Sequence, residues 1–371
     1  MRLVVLGPGH PFRGGIALTT TRLVQSLRQR GHQVTFLTPI RQYPRWLYPG
    51  ADDRDPDACP RLEDSHACLD PLSPTRWSGA RRQCLRSDAD AWILPYWTWA
   101  WAGLWWFLLR TERRPKVAAV VHNLSDHEGS ALRRLAARAV LSRCQGLFTH
   151  AGSLASALGA LYPGVPIAAH PLPPVPLGEP PDREGARAAL GLTSGRLALF
   201  AGLIRPYKGV ELLLEAMALL PRDSGWQLVV AGEPWEGLGE KLRQRVAQPD
   251  LAGRVRLDLR WLPDPELSRL LAAADLVVLP YHAGSQSAMA PLALSYGVPV
   301  LSTRVGGLAE VIRDGINGLL VEPGSAPALA AAIASLDGPR LQELSDGARS
   351  TVAELTWSAY AAELEGLLAR M

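Results

Sequence analysis

Short apolar runs that break off at glycine, proline or histidine alternate with longer segments of helical period along almost the whole of this chain. Runs of that length and composition read as strands buried on both faces, and each is followed by enough residues for a crossover helix. The order restricts the fold to α/β with parallel sheets, because only a long connection can join parallel neighbours. Strands are expected at residues 2–6, 33–38, 91–95, 117–121 and 146–149, and again at 196–201, 227–231, 254–258, 276–280, 299–302 and 318–321. Between the two sets lies "HPLPPVPLGEPPD", residues 170–182, whose prolines admit neither helix nor central strand. The expected layout is a domain at 1–170, a linker at 171–182, a second domain at 183–346 and a C-terminal stretch at 347–371. That last stretch ends in "LTWSAYAAELEGLLARM", with Leu355, Trp357, Tyr360, Leu364 and Leu367 at helical spacing. Such a helix needs a surface to cover.

Composition narrows the partners. The 371 residues carry a formal net charge of only +4, yet residues 1–170 hold 21 Lys and Arg against 12 Asp and Glu, while residues 171–371 hold 18 against 23. The basic half suits an anionic surface such as a membrane, and with no like-charge block and no RNA-binding signature, nucleic acid is not an expected partner. Cys59, Cys68, Cys84 and Cys144 show no CxxC spacing. They read as reduced thiols of a cytoplasmic protein. The start "MRLVVLGPGH" lacks the succession of a signal peptide and reads as a buried strand. Residues 42–61 are rich in Pro and Asp and read as a surface excursion.

The stretch "LFAGLIRPYKGVELLLEAM" places Gly202, Arg205 and Lys208 between a strand and an amphipathic helix. Ligands of open parallel sheets sit outside the carboxyl ends of strands, and helix N-termini there offer free amides, so the two cations fit a dianion such as a diphosphate. A pair of solvated surface charges is the other reading. The chain has 36 Arg and only 3 Lys, which sets Lys208 against its general bias. No GxxxxGK[ST] occurs, and Phe12 stands where a dinucleotide fingerprint has its third glycine. Gly14 and Gly15 precede the helical run "IALTTTRLVQSLRQRG", where a ligand could approach the main chain or where they serve only the turn.

In order along the chain, "GPGHPFRGGIA", "VVHNLSDHE", "FTHAGSLASAL", "LFAGLIRPYKGVELLLEA", "LAAADLVVLPY", "QSAMAPLALSYGVPVLSTRVGGLAEVI" and "GINGLLVEPG" resemble glycosyltransferase family 4. The resemblance implies the GT-B architecture: two Rossmann-like domains facing a cleft, a nucleotide sugar on the second, an acceptor on the first, and a C-terminal helix returning to the first. It implies that Arg205 and Lys208 grip the donor diphosphate and that His122 lies beside the transferred sugar. Gly14, Gly15, Gly202, Glu233, Trp261, Leu262, Gln286, Ser287 and Glu310 fall to donor binding. Asn123, His127 and Glu128 fall to the acceptor. No metal and no cofactor beyond the nucleoside-diphosphate sugar is implied.

Many members carry paired glutamates where this chain has Gly284 and Leu292. The sequence is similar here to a branch with "QS" in their place, so Glu233, Gln286, Ser287 and Glu310 are the candidates to hold ribose and sugar. The implied function is retaining transfer to a glycan or lipid-linked acceptor in cell-envelope or exopolysaccharide synthesis. The alternatives are an inactive GT-B protein that binds nucleotide sugar or glycan, and a synthase using a sugar phosphate. One further segment, "AWILPYWTWAWAGLWWFLL", holds six of the 12 tryptophans. Pro95, Gly103 and its central tryptophans argue against a membrane span and for a strand, a loop and a helix. Its tryptophans with Arg110, Arg113, Arg114 and Arg133 either meet an anionic leaflet or form an aromatic core.

Overall fold

A computed structural model describes residues 1–42, 54, 62, 64–112, 114–123, 131–192, 194–235, 237–284 and 286–371. The expected excursion at 42–61 lies, apart from Gln42 and Arg54, outside the described residues. The chain forms two compact units, Met1–Val175 with Thr356–Met371, and Pro176–Leu355.

The first unit runs β1 (Arg2–Leu6), α1 (Gly15–Gln29), β2 (Gln33–Pro39), β3 (Ser65–Leu69), α2 (Pro74–Arg86), β4 (Ala91–Tyr96), α3 (Ala102–Leu108), β5 (Lys116–Val121), α4 (Ala131–Leu141), β6 (Gly146–Thr149), α5 (Gly152–Leu161) and β7 (Ile167–Ala169). Its strands pair in parallel in the order β3-β2-β1-β4-β5-β6-β7. Period-two alternation divides the core: Val4, Leu6, Trp92, Leu94, Val117 and Ala119 face α2 to α5, whereas Leu3, Val5, Ile93, Ala118 and Val120 face α1 and the C-terminal helix. Two strands escaped the sequence reading. β3 is a half-exposed edge strand, and β7 is only three residues long.

The second unit runs α6 (Arg183–Ala189), β8 (Arg196–Ala201), α7 (Val210–Leu219), β9 (Trp226–Ala231), α8 (Leu238–Val246), β10 (Val255–Asp258), α9 (Asp264–Ala273), β11 (Leu276–Leu279), α10 (Met289–Ser295), β12 (Val300–Thr303), α11 (Leu308–Val311), β13 (Gly318–Val321), α12 (Ala326–Ala334) and α13 (Gly338–Glu354). Its parallel order is β10-β9-β8-β11-β12-β13. Both sheets reverse their winding once, beside β1 and β4 in the first and beside β8 and β11 in the second. Those reversal points open a crevice at the carboxyl ends of the strands.

The return to the first unit begins at Thr356 rather than at residue 347. Residue 347 lies inside α13, whose Leu341, Leu344 and Ala348 are buried in the second unit's core. Only α14 (Trp357–Arg370) packs on the first unit, burying Tyr360, Leu364 and Leu367 against Leu23 and Leu27 of α1. Ser26 donates to the Trp357 carbonyl at 2.8 Å, and Arg30 grips Glu365 through two hydrogen bonds of 2.6 and 2.7 Å.

The tryptophan-rich segment is β4, a 3-10 turn at Trp99–Trp101 and α3. Trp92, Trp97, Trp101 and Trp105 are buried, and the rings of Trp97, Trp101 and Trp105 follow one another at 4.9 and 5.2 Å. Of the two readings of this segment, bilayer contact is corrected for Trp97, Trp101 and Trp105, whose rings belong to the core. These rings fill the space between sheet and helices. Among the described residues no helix is long and apolar enough to cross a membrane.

Candidate functional site

In the second unit the chain leaves β8 at Gly202, bridges in parallel from Ile204 to Pro234, and turns through the 3-10 segment Pro206–Lys208 before α7. Gly209 closes that turn in the left-handed region, at φ 67 and ψ 28, and a Cβ there would stand 2.1 Å from the Pro280 carbonyl oxygen. Only glycine fits both the dihedral and the space. The turn is thereby pressed onto the segment after β11, where the His282 amide donates to the Tyr207 carbonyl at 2.7 Å. This is the sheet's reversal point, and it carries the two cations.

Neither cation is in an ion pair among the described residues. The Arg205 guanidinium lies 4.2 Å from the centroid of the Trp235 ring, and the Lys208 ammonium lies 5.6 Å from that of Tyr281. Aromatic faces hold a cation by their quadrupole without neutralising it. Both charges therefore stay available to an anion. Burial, reinforced by Arg205, pushes Lys208 down to about 8. A positive group with a depressed pKa gains from an incoming phosphate, which returns the counter-charge that burial removed.

The Tyr281 hydroxyl lies 3.2 Å from Ser287 Oγ, which also accepts from the Met289 amide at the start of α10. Ser287 is thus tied to the cation pair through Tyr281. Half-buried Glu233 follows β9 and receives the Ile204 amide on its carbonyl at 2.9 Å. Trp261 and Leu262 follow edge strand β10, and Leu262 is buried in the core. Gln286 is half-buried, and Glu310 sits exposed on α11 beyond β12. These residues share the carboxyl edge of the sheet. Of the positions without glutamate, Gly284 is half-buried, whereas Leu292 is 6% exposed and belongs to the core.

In the first unit, Gly14 and Gly15 open α1. Gly14 has φ +105, and added side-chain carbons at either would meet nothing within 4 Å, so the space over this helix start is open. A small crevice beside α1 is lined by Val5, Thr19, Thr20, Ile93, Pro95 and His122. His122 is buried at the end of β5 and donates its amide to the Tyr96 carbonyl at 2.9 Å. Asn123 follows it half-buried, and His127 and Glu128 lie outside the described residues.

His122 does not stand alone. Its Nδ1 is 3.0 Å from Nε2 of His150, whose Nδ1 is 3.4 Å from the Tyr360 hydroxyl on α14. Tyr360 is fully buried, and among the described residues His150 is its hydroxyl's polar partner. If the hydroxyl accepted, its own proton would be buried without a partner, so it donates. His150 then receives on Nδ1 and gives its Nε2 proton to Nδ1 of His122, which leaves His122 protonated on Nε2. Burial holds His122 down to about 3, and burial, then the neighbouring His122 and His170, hold His150 well below its ordinary value. Both rings are neutral at physiological pH. The His122 imidazole therefore carries no charge.

Sequence reasoning missed Trp235 and Tyr281 because each reaches Arg205 or Lys208 only through folding. His150 had a usable signal. "VVH" and "FTH" end neighbouring strands in the register Val121↔Thr149, so the histidines come side by side.

Comparison with known proteins agrees in both halves. The family described as Glycosyltransferase Family 4 matches residues 13–174, and that described as Glycosyl transferases group 1 matches residues 195–337. The D-inositol 3-phosphate glycosyltransferase of Mycobacterium tuberculosis is 37% identical over 202 residues, covering 51% of this chain and 40% of its own length. The match thus spans less than half of that relative. Among solved structures, sucrose-phosphate synthase from Thermosynechococcus elongatus superposes with a TM-score of 0.81 at 21% identity, over 100% of this chain and 99% of its own. Anabaena HepE in complex with UDP gives 0.79 at 16% identity, over 100% of both. At those identities the likeness speaks for the fold alone. With the GT-B fold and both family halves in place, the chain belongs to glycosyltransferase family 4, the group 1 glycosyl transferases.

Proposed function

We propose that this protein is a metal-independent, retaining glycosyltransferase that moves a sugar from a nucleoside diphosphate to a glycan or lipid-linked acceptor in cell-envelope or exopolysaccharide synthesis, at the cytoplasmic face of the membrane. The carrying observation is Arg205 and Lys208, cationic, held over Trp235 and Tyr281 without carboxylate partners among the described residues, at the reversal point of the second sheet. When the bond from the anomeric carbon to the phosphate breaks, its electron pair goes to the leaving diphosphate. The acceptor oxygen forms the new bond to the anomeric carbon, and its proton passes to the leaving phosphate oxygen. Preorganised cations stabilise the charge that grows on the phosphate without reorganisation, the work a metal does elsewhere. HepE in complex with UDP supports a nucleotide donor by likeness of fold. His122, neutral and lining the crevice at α1, would lie beside the transferred sugar.

The test is transfer and hydrolysis with a panel of radiolabelled UDP and GDP sugars, with product anomers read by NMR and with chelator present. Turnover that survives chelator and keeps the anomeric configuration is expected. Loss with EDTA, restored by Mn²⁺ or Mg²⁺, overturns metal independence. Gly284 and Leu292, in place of the paired glutamates, favour one second reading, an inactive binder of nucleotide sugar. It predicts donor affinity with no turnover of any sugar in the panel.

A further inference from the structure

The helices that cover one face of the first sheet, α2 to α5, contain seven arginines and no aspartate or glutamate. The opposite face is ordinary by comparison, since Arg28 pairs with Asp64 and Arg30 with Glu365. Arg76, Arg82, Arg86 and Arg138 are exposed on the basic face and form no ion pair among the described residues. Asp126 and Glu128 precede α4 in the sequence and lie outside those residues. Charge of one sign over neighbouring helices costs stability through self-repulsion, and it gains something only when an anionic partner meets it.

The same face also exposes apolar bulk. α4 already buries Ala137, Val140 and Leu141 against the core, yet it turns Leu132 and Leu135 outward at 68% and 63% exposure. Neighbouring Trp99, on the turn before α3, is 45% exposed. Between α2 and α4, the half-buried rings of Phe107 and Trp106 are each overlaid by an arginine, Arg81 at 4.6 Å and Arg110 at 4.5 Å. Single exposed leucines are normal, but two on one turn of an arginine-bearing helix, beside a tryptophan, combine the two halves of an interfacial contact. A free polyanion would need the arginines alone. A bilayer surface uses both.

We infer that the α2 to α5 face docks on an anionic lipid surface, with Leu132, Leu135 and Trp99 entering the headgroup zone and Arg76, Arg82, Arg86 and Arg138 meeting lipid phosphates. This places the membrane contact on α4 and its neighbours and not on the buried tryptophans. It rests on the charge and exposure of this face, and it names the contact behind the membrane location proposed above without depending on the transfer chemistry.

The test is co-sedimentation of the full chain with vesicles of phosphatidylcholine alone or mixed with phosphatidylglycerol, without sugar donor. Each cation near the surface is expected to add about fivefold to the partition coefficient, weakened as salt shortens the Debye length. Arg82→Glu with Arg86→Glu and Arg138→Glu should cut binding to the mixed vesicles at least tenfold. Leu132→Ser with Leu135→Ser should weaken it while leaving its salt slope unchanged. Circular dichroism confirms folding, and any unfolded variant is replaced by the corresponding Arg→Gln set, for which the same direction is expected. Equal binding to both vesicle types, charge reversal without effect, or capture by dextran sulfate but not by vesicles would each overturn the inference. None of these readouts involves sugar transfer, so failure here leaves the proposed reaction standing, and absence of transfer leaves the docking face standing.

Discussion

Nε2 of His150 stands 3.0 Å from Nδ1 of His122, and both residues directly follow adjacent parallel strands, so the pair is set by sheet register. Tyr360 on α14 completes the chain of donors. The C-terminal helix thereby reaches the His122 ring through His150, although it lies far away in sequence.

Nitrogen-15 NMR of the ring nitrogens should show His122 and His150 both neutral and protonated on Nε2. In Tyr360→Phe, the donor that fixes His150 is gone, and the spectrum should show mixed tautomers on both rings with the fold retained. A pure Nε2 tautomer in that variant would mean that α14 contributes packing alone. If His122 also orients substrate, Tyr360→Phe should lower kcat with KM little changed, since tautomer and orientation act on the chemical step.

Lys208 should make anion binding sensitive to alkali. Its pKa is lowered to about 8. Its charge is therefore complete in neutral solution and lost as pH rises through 8, well before an ordinary lysine. Affinity for UDP or GDP, measured by calorimetry, should fall about tenfold for each pH unit above that point if only the charged form binds. Lys208→Arg should remove this dependence, because guanidinium stays charged. Lys208→Met should bind weakly at every pH, and Arg205→Ala or Lys208→Ala should each slow transfer on the order of 100-fold. A flat profile for the unaltered protein would remove Lys208 from the anion site.

Much of this was readable in advance. β8 and β11, at the centre of the second sheet, are buried apolar runs with helical segments between them, so local pattern and tertiary role coincide. β3 was not readable, because "SHACL" pairs on one edge only and half faces solvent. The tryptophan run shows the limit of composition. Hydrophobicity says that Trp101 and Trp105 leave water but not whether they leave it for lipid or for protein, and only the packing of α3 against the sheet decides. Lys208 stood out as a rare lysine at a strand end. Tyr281 could not, because it meets Lys208 through the closeness of Gly209 to Pro280.

That closeness yields a stability prediction. Gly209→Ala adds a carbon where 2.1 Å separates its position from the Pro280 oxygen, at a left-handed φ of 67. Strain and displacement together should cost on the order of 2 kcal/mol or more. The turn bearing Lys208 must lift from Tyr281 to relieve it. A lower denaturant midpoint together with weaker nucleotide affinity is expected, whereas Gly15→Ala, in open space and without a positive φ, should affect stability less. Unchanged nucleotide affinity in Gly209→Ala would separate the turn from the site.

Restoring the family's glutamates should fail to help. Leu292 packs inside α10 at 6% exposure among apolar core side chains, so a carboxylate there would lose its hydration. Burying an unpaired charge costs several kcal/mol, or forces the group to take up a proton. If the chain were merely an enzyme that had lost two residues, Gly284→Glu with Leu292→Glu should raise donor turnover. Because the position has been given over to packing, the double variant should instead unfold at lower denaturant and turn over no faster. Ser287, joined to Lys208 through Tyr281, is then the residue whose change to alanine should weaken donor binding while the fold survives. A stable double-glutamate variant with enhanced transfer would reverse this account of the site.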